Sequence, residues 1–179
     1  MGVRTDIVGS AVSEDGRPDE GRIERLYLRH APAATRLAYL ITGDAHLAQD
    51  IAQEAFIRVT GRFGHLRSPG AFDAYLRRAV VNLCTSQFRH RKVERAYLER
   101  EARRPPPNVD SPTVGEHDEL RSALRELPPR QRAAVVLRYY EDLSEQQTGE
   151  VLGISASAVR SLVLRAMTTL RERIRRDEP

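Results

Sequence analysis

Arg160 and Arg165, set among the small residues Ala156, Ser157 and Ser161, are the side chains of this sequence best suited to reading a double helix. A guanidinium can bond two acceptors on a guanine edge or pin a phosphate, and short neighbours let a helix sit deep in a major groove. The bland alternative is a solvated helix face. Their setting favours the groove. Ser144 is placed to cap a short helix ending near Leu152, Gly153 permits the left-handed backbone of a tight turn, and Ser155 can cap a second helix from Ala156. This is helix-turn-helix spacing. Gly149 would let the two helices approach closely, with Val151, Leu152, Ile154, Val159 and Leu162 or Val163 filling the space between them, while Leu164 faces outward with the arginines.

Charge is blocked along the chain. Overall there are 29 Lys and Arg against 25 Asp and Glu, a net +4, which suits a polyanionic partner without requiring one. From Arg58 to Arg104, however, twelve basic residues stand against four acidic ones. Glu116 to Leu152 then turns acidic, and the segment from Arg160 to Arg176 is basic again. By contrast, the five histidines (His30, His46, His65, His90 and His117) are scattered without metal-ligand spacing, and no nucleophile stands beside a base. The expectation is a chain with no catalytic residue, metal, cofactor or small-molecule substrate.

Cys84 stands alone, so no intrachain disulfide can form, which suits a reducing compartment; its plain reading is a small packing residue. No apolar run approaches the roughly 18 residues that span a bilayer, and the N-terminus lacks a signal-peptide core. A cytoplasmic protein without membrane contact is expected.

These residues must be positioned by helices. Residues 1–20 lack apolar periodicity and read as a disordered tail. Ile23, Leu26, Tyr27, Ala34, Leu37, Ala38 and Ile41 recur at helical spacing, with Pro32 expected to kink or divide the helix. Asp44 is placed to cap a helix running to about Gly61, with Leu47, Ala48, Ile51, Ala55 and Val59 inward. Ser68 and Pro69 open a third helix, with Phe72, Leu76, Ala79 and Leu83 inward and an end near Arg91. The prolines at 105, 106, 107 and 112 stop helix formation and form a linker. Periodicity resumes at Leu120, Leu124 and Leu127, then beyond Pro128 and Pro129 at Ala133, Val136, Leu137 and Tyr140. The expected fold is all-α: two small helical domains, 21–100 and 117–176, joined by a Pro-rich linker at 101–116.

Two separated stretches resemble one family. Asp44-Ala-His-Leu-Ala-Gln-Asp-Ile-Ala-Gln-Glu-Ala-Phe-Ile-Arg-Val is similar to the signature of sigma region two. Leu127-Pro-Pro-Arg-Gln-Arg-Ala-Ala-Val-Val-Leu-Arg-Tyr-Tyr-Glu-Asp-Leu-Ser-Glu, followed by Val151-Leu-Gly-Ile-Ser, resembles sigma region four. Their order, with no region three between, is the layout of the extracytoplasmic-function (ECF) sigma factors of RNA polymerase. Tyr75-Leu-Arg-Arg-Ala-Val-Val-Asn82 further resembles the actinobacterial SigE-like subgroup.

The resemblance implies a non-enzymatic protein that binds core RNA polymerase and directs promoter-specific initiation. It implies that Asp50, Gln53, Glu54 and Ile57, which share one helix face by their i, i+3, i+4, i+7 spacing, dock on the clamp helices of the beta-prime subunit. The loop 62–68, with Arg62 and Arg67, and the stripe Arg78, Asn82, Ser86 and Arg89 would hold the melted minus-ten strand. Phe63 and Phe72 are candidate stacking platforms, Phe72 having a core reading beside it. Ala156, Ser157, Arg160, Ser161 and Arg165 would read the minus-thirty-five duplex, and the same domain would meet the beta flap. Many relatives also bind an anti-sigma protein. The sequence departs from the common pattern at Thr148, usually a branched apolar residue, Gly149, usually Ala, Ala158, usually Thr, and Leu162, usually Arg. Those changes are expected to loosen the hairpin or weaken its duplex contact. The rival reading is a dimeric helix-turn-helix regulator that binds duplex operator DNA without core polymerase.

Overall fold

The structure is a computed structural model that describes residues 20–61, 69–101 and 118–177. The expectations for the tail at 1–19, for Arg62, Phe63, Arg67 and Ser68, and for the linker at 102–116 lie outside the described residues. The described residues form seven α-helices and no strand: α1 Glu20–Thr42, α2 Ala45–Thr60, α3 Pro69–Glu101, α4 Asp118–Glu126, α5 Pro129–Val135, α6 Glu145–Leu152 and α7 Ala156–Asp177. A five-residue π-helical stretch, Val136–Tyr140, continues α5. None of these helices is by itself long and apolar enough to cross a membrane.

Helices α1, α2 and α3 pack on one another as one bundle. Asp44 caps α2 as expected, its carboxylate accepting from the Leu47 amide at 3.0 Å. That bond, with help from Arg91, holds the carboxyl below its ordinary value despite partial burial. Ala48, Ile51, Ala55 and Val59 face inward against Leu37, Ala38 and Ile41 of α1 and Phe72, Leu76, Val80 and Cys84 of α3. The aromatic centre is built edge to face, with Phe56 5.1 Å from Tyr27 and 5.7 Å from Phe72. Fully burying a side chain of this size stabilises the fold by about 1.5–3 kcal/mol. Burial also pushes the Cys84 thiol up to about 12, so it stays protonated and packs as a small apolar group.

Two helix expectations are corrected. Pro32 does not divide α1. The proline cannot donate to the carbonyl of Leu28, but both residues lie on the solvent side, while Ala34, Leu37, Ala38 and Ile41 anchor the buried face. Helix α3 runs to Glu101 rather than Arg91. No Gly or Pro interrupts residues 91–101, which are mostly good helix formers, so propagation outlasts the apolar stripe.

Helices α4 to α7 form the second bundle around Leu127, Ala134, Val136, Leu137, Val159 and Ala166. Two expected caps are present. Ser144 accepts from the Gln147 amide while the Gln147 side chain accepts from the Ser144 amide, a capping box. Ser155 accepts from the Ala158 amide at 3.2 Å. Between α6 and α7, Gly153 takes φ +67°, the left-handed conformation that its lack of a Cβ permits. Gly149 serves close approach: a Cβ there would stand 2.6 Å from the Ile154 carbonyl oxygen.

The two bundles also pack against each other. Leu124, Leu127, Val136 and Leu137 belong to the same buried apolar cluster as Leu37, Ile41, Val80 and Val81. The sequence points to two domains whose spacing the linker leaves open; the structure closes them on each other.

Candidate nucleic-acid interface

Three surfaces carry the residues singled out from sequence. On α2, Asp50, Gln53, Glu54 and Ile57 are all exposed along one face, opposite the buried one. Ile57 is 62% exposed, an apolar side chain in a polar stripe. Glu54 is paired with Arg58 one turn on, at 2.5 Å. Both are well exposed, so this pair contributes little and a competing partner can displace it.

On α3, Arg78, Asn82 and Arg89 are exposed and Ser86 is half-buried, so the structure brings the expected stripe together. Its aromatic member differs from the expectation. Phe72 is 1% exposed and locked between His30 and Phe56, so it is core and offers no platform. Tyr75, 54% exposed, lies on the same face as Arg78 and Asn82 by its i, i+3, i+7 spacing. Helix phase alone is the sequence signal that sets Tyr75 on this face. Just beneath the start of this stripe, His30 Nδ1 lies 2.6 Å from Asp73 and ties α1 to α3.

On α7, Ser157, Arg160, Ser161 and Arg165 are exposed and Ala156 is half-buried. Leu164 is exposed beside them. The Arg160 guanidinium is occupied: Nε donates to Glu145 Oε1 at 3.1 Å and Nη2 to Oε2 at 2.7 Å. That fork holds the Glu145 carboxyl below its ordinary value and raises Arg160. Arg165 Nε donates to the Ser161 carbonyl. A partner that approaches Arg160 through Nε and Nη2 must therefore exchange with Glu145.

The four departures from the common pattern sit in the interior or at its margin. Thr148 is fully buried and its hydroxyl has no hydrogen-bond partner. Gly149 is buried against the Ile154 carbonyl. Ala158 and Leu162 are half-buried.

Residues 26–94 match the family described as Sigma-70 region 2, and residues 117–170 the family described as Sigma-70, region 4. The chain is 38% identical over 144 residues to the RNA polymerase sigma-E factor of Streptomyces avermitilis, covering 79% of each. It is 36% identical over 155 residues to the ECF RNA polymerase sigma factor SigE of Mycolicibacterium smegmatis, covering 83% of this chain and 60% of that one. Among solved structures, its fold is similar to that of the sigma factor RpoE from Bartonella quintana, determined in complex with the anti-sigma factor NepR. That match has a TM-score of 0.68 at 20% identity and covers 88% of this chain and 99% of the other.

Proposed function

Because the chain belongs to the sigma-70 family, among its ECF sigma factors, it directs RNA polymerase to promoters, and we propose that it divides this work between its two bundles. Residues 21–100 take core polymerase and the minus-ten element, residues 117–176 take the minus-thirty-five element, and residues 101–116 link them. The chain acts by binding, in the cytoplasm where the polymerase works. Its finer partners are the beta-prime clamp helices for α2, the beta flap for the second bundle and an anti-sigma protein for the two bundles together.

The observation that carries this reading is the α2 stripe. Two carboxylates, an amide and a 62%-exposed isoleucine share one face of a rigid helix whose other face is core. An apolar anchor ringed by charge is the composition of a protein-binding surface. Asp50, Gln53, Glu54 and Ile57 form that surface. Arg62, Arg67, Arg78, Asn82, Ser86 and Arg89 hold the unwound strand, with Tyr75 as the stacking face that Phe72 cannot supply. Ala156, Ser157, Arg160, Ser161 and Arg165 face the duplex, where backbone contacts fix the position and Arg160 supplies base discrimination.

The test is Asp50→Arg with Glu54→Arg, both exposed positions whose change leaves the interior untouched. The double variant is expected to keep its helical circular dichroism and lose binding to purified core polymerase, and with it transcription from a genomic promoter pool. Undiminished core affinity would refute the α2 assignment.

A further inference from the structure

Arg160 is held by a residue from the other helix of the hairpin. Between Ala156 and Arg171, α7 carries no acid, so its arginines find no carboxylate one turn away on their own helix. The turn supplies one. Helices α6 and α7 stand at 97° to each other, with Gly153 in the left-handed conformation and the Ile154 amide bonded to the Gly149 carbonyl at 2.9 Å. The reciprocal bonds of Ser144 and Gln147 start α6 at Glu145, and Ser155 caps the start of α7. Glu145 thereby reaches Arg160, fifteen residues on, from a first turn whose backbone is fixed. Its charge also suits the positive end of the α6 dipole. The Arg160 fork, with the charge of Arg138 added, holds the carboxyl in its ionised form. Arg138 is itself tied down, donating to the Leu143 carbonyl.

A guanidinium has five N–H donors. The fork takes one on Nε and one on Nη2. None of the described residues bonds Nη1, and the side chain is 67% exposed. The free edge therefore pairs Nη1 with the second hydrogen of Nη2, a spacing that meets O6 and N7 of guanine end-on. To turn toward a phosphate the plane must give up a bond to Glu145. The phosphate would also meet the charge of the carboxylate, whereas the guanine edge carries no net charge. Because Arg160 is well exposed, the pair adds little to stability; its effect falls on orientation and on the choice of ligand. Arg165 shows the contrast. Its Nε is tied to the Ser161 carbonyl of its own helix at 3.2 Å, and no described carboxylate pairs with it, which suits an ordinary phosphate contact.

We propose that Glu145 is a positioning residue: it fixes the guanidinium plane of Arg160 and repels phosphate from it, which makes Arg160 a reader of guanine rather than one more backbone contact. Glu145 itself need not touch the DNA. Discrimination arises twice. The preset edge has little rotamer freedom left to lose on meeting guanine, and the carboxylate opposes the wrong ligand. This role rests on the proposed assignment of Arg160 to the minus-thirty-five duplex.

The test uses holoenzyme assembled from the full chain and purified core polymerase, with a promoter drawn from the genomic pool. The minus-thirty-five segment is made once with guanine and once with 7-deazaguanine, which replaces the N7 acceptor by a C–H and pairs as before. The readout is the ratio of the two affinities, measured by competition at one fixed salt concentration; a change in stability or in core binding alone leaves that ratio unmoved. For the parent chain 7-deazaguanine is expected to weaken binding about tenfold, within the worth of one bidentate base contact. In Glu145→Gln the ratio is expected to fall several-fold, while affinity for mixed-sequence duplex rises. In Arg160→Lys, which keeps the charge and loses the planar fork, it is expected to fall to about one. A Glu145→Gln ratio equal to the parent's, with Arg160→Lys insensitive, would overturn the positioning role and leave the assignment of Arg160 standing. A parent chain indifferent to 7-deazaguanine, or an Arg160→Lys variant as sensitive as the parent, would overturn that assignment and the positioning role with it.

Discussion

Replacing Thr148 by Val tests the interior of the helix-turn-helix at its weakest point. The side chain is fully buried, yet its hydroxyl has no hydrogen-bond partner. Three other threonines avoid this. Thr42, Thr60 and Thr85 donate to the carbonyl four residues back at 2.8–2.9 Å. A hydroxyl buried without a bond costs about 1–3 kcal/mol in proteins. Valine keeps the branched shape and exchanges that hydroxyl for a methyl, whose burial adds up to about 0.8 kcal/mol. Allowing for imperfect fit, Thr148→Val should stabilise the chain by about 1–2 kcal/mol. At this chain length that corresponds to a rise in Tm of roughly 2–8 °C. Urea unfolding followed by far-UV circular dichroism reads it as a higher midpoint at unchanged m. Thr148→Ser is the control, since it keeps the unpaired hydroxyl and removes a methyl; it should lose about 1 kcal/mol. A valine variant no more stable than the parent would mean that the hydroxyl is satisfied in solution, and the reasoning would fail.

Tyr75→Ala should reduce strand opening in the holoenzyme by about tenfold, the loss of one base-stacking contact of ~1–3 kcal/mol, with core binding unchanged; 2-aminopurine fluorescence at the minus-ten element reads it, and an undiminished signal excludes Tyr75 as a platform. Glu145→Gln frees Arg160 from its fork, so affinity for minus-thirty-five duplex DNA should rise a few-fold, about the worth of one exposed ion pair, with a steeper salt dependence; equal affinity and slope by anisotropy titration would show that Glu145 does not compete. Asp44→Ala removes the α2 cap and should cost about 1 kcal/mol at neutral pH. Because the folded carboxyl is held below its ordinary 3.8, the ionised cap's contribution is complete above that value and disappears as pH falls through the lower folded one. Urea midpoints should therefore converge in strong acid, and a gap that persists there would contradict the cap.

What the sequence makes legible is local. Asp44, Ser144 and Ser155 each cap the helix that their type and position announce, because a cap is a bond between a side chain and an amide three residues on. The α2 stripe and the inward faces follow from helix phase alone. What escapes is whatever depends on the second bundle. Arg121, Arg125 and Arg132 look like ordinary helix-surface cations in an acidic stretch, and only the placement of α1's end beside them turns them into donors to Ile41, Gly43 and Tyr39. Burial then pushes the Arg132 pKa down, helped by Arg125, a cost that its three carbonyl partners offset. Phe72 escapes for a different reason, one inside its own bundle: its phase is inward, but whether an aromatic near a cationic loop is platform or core is decided by Phe56 of α2 and His30 of α1.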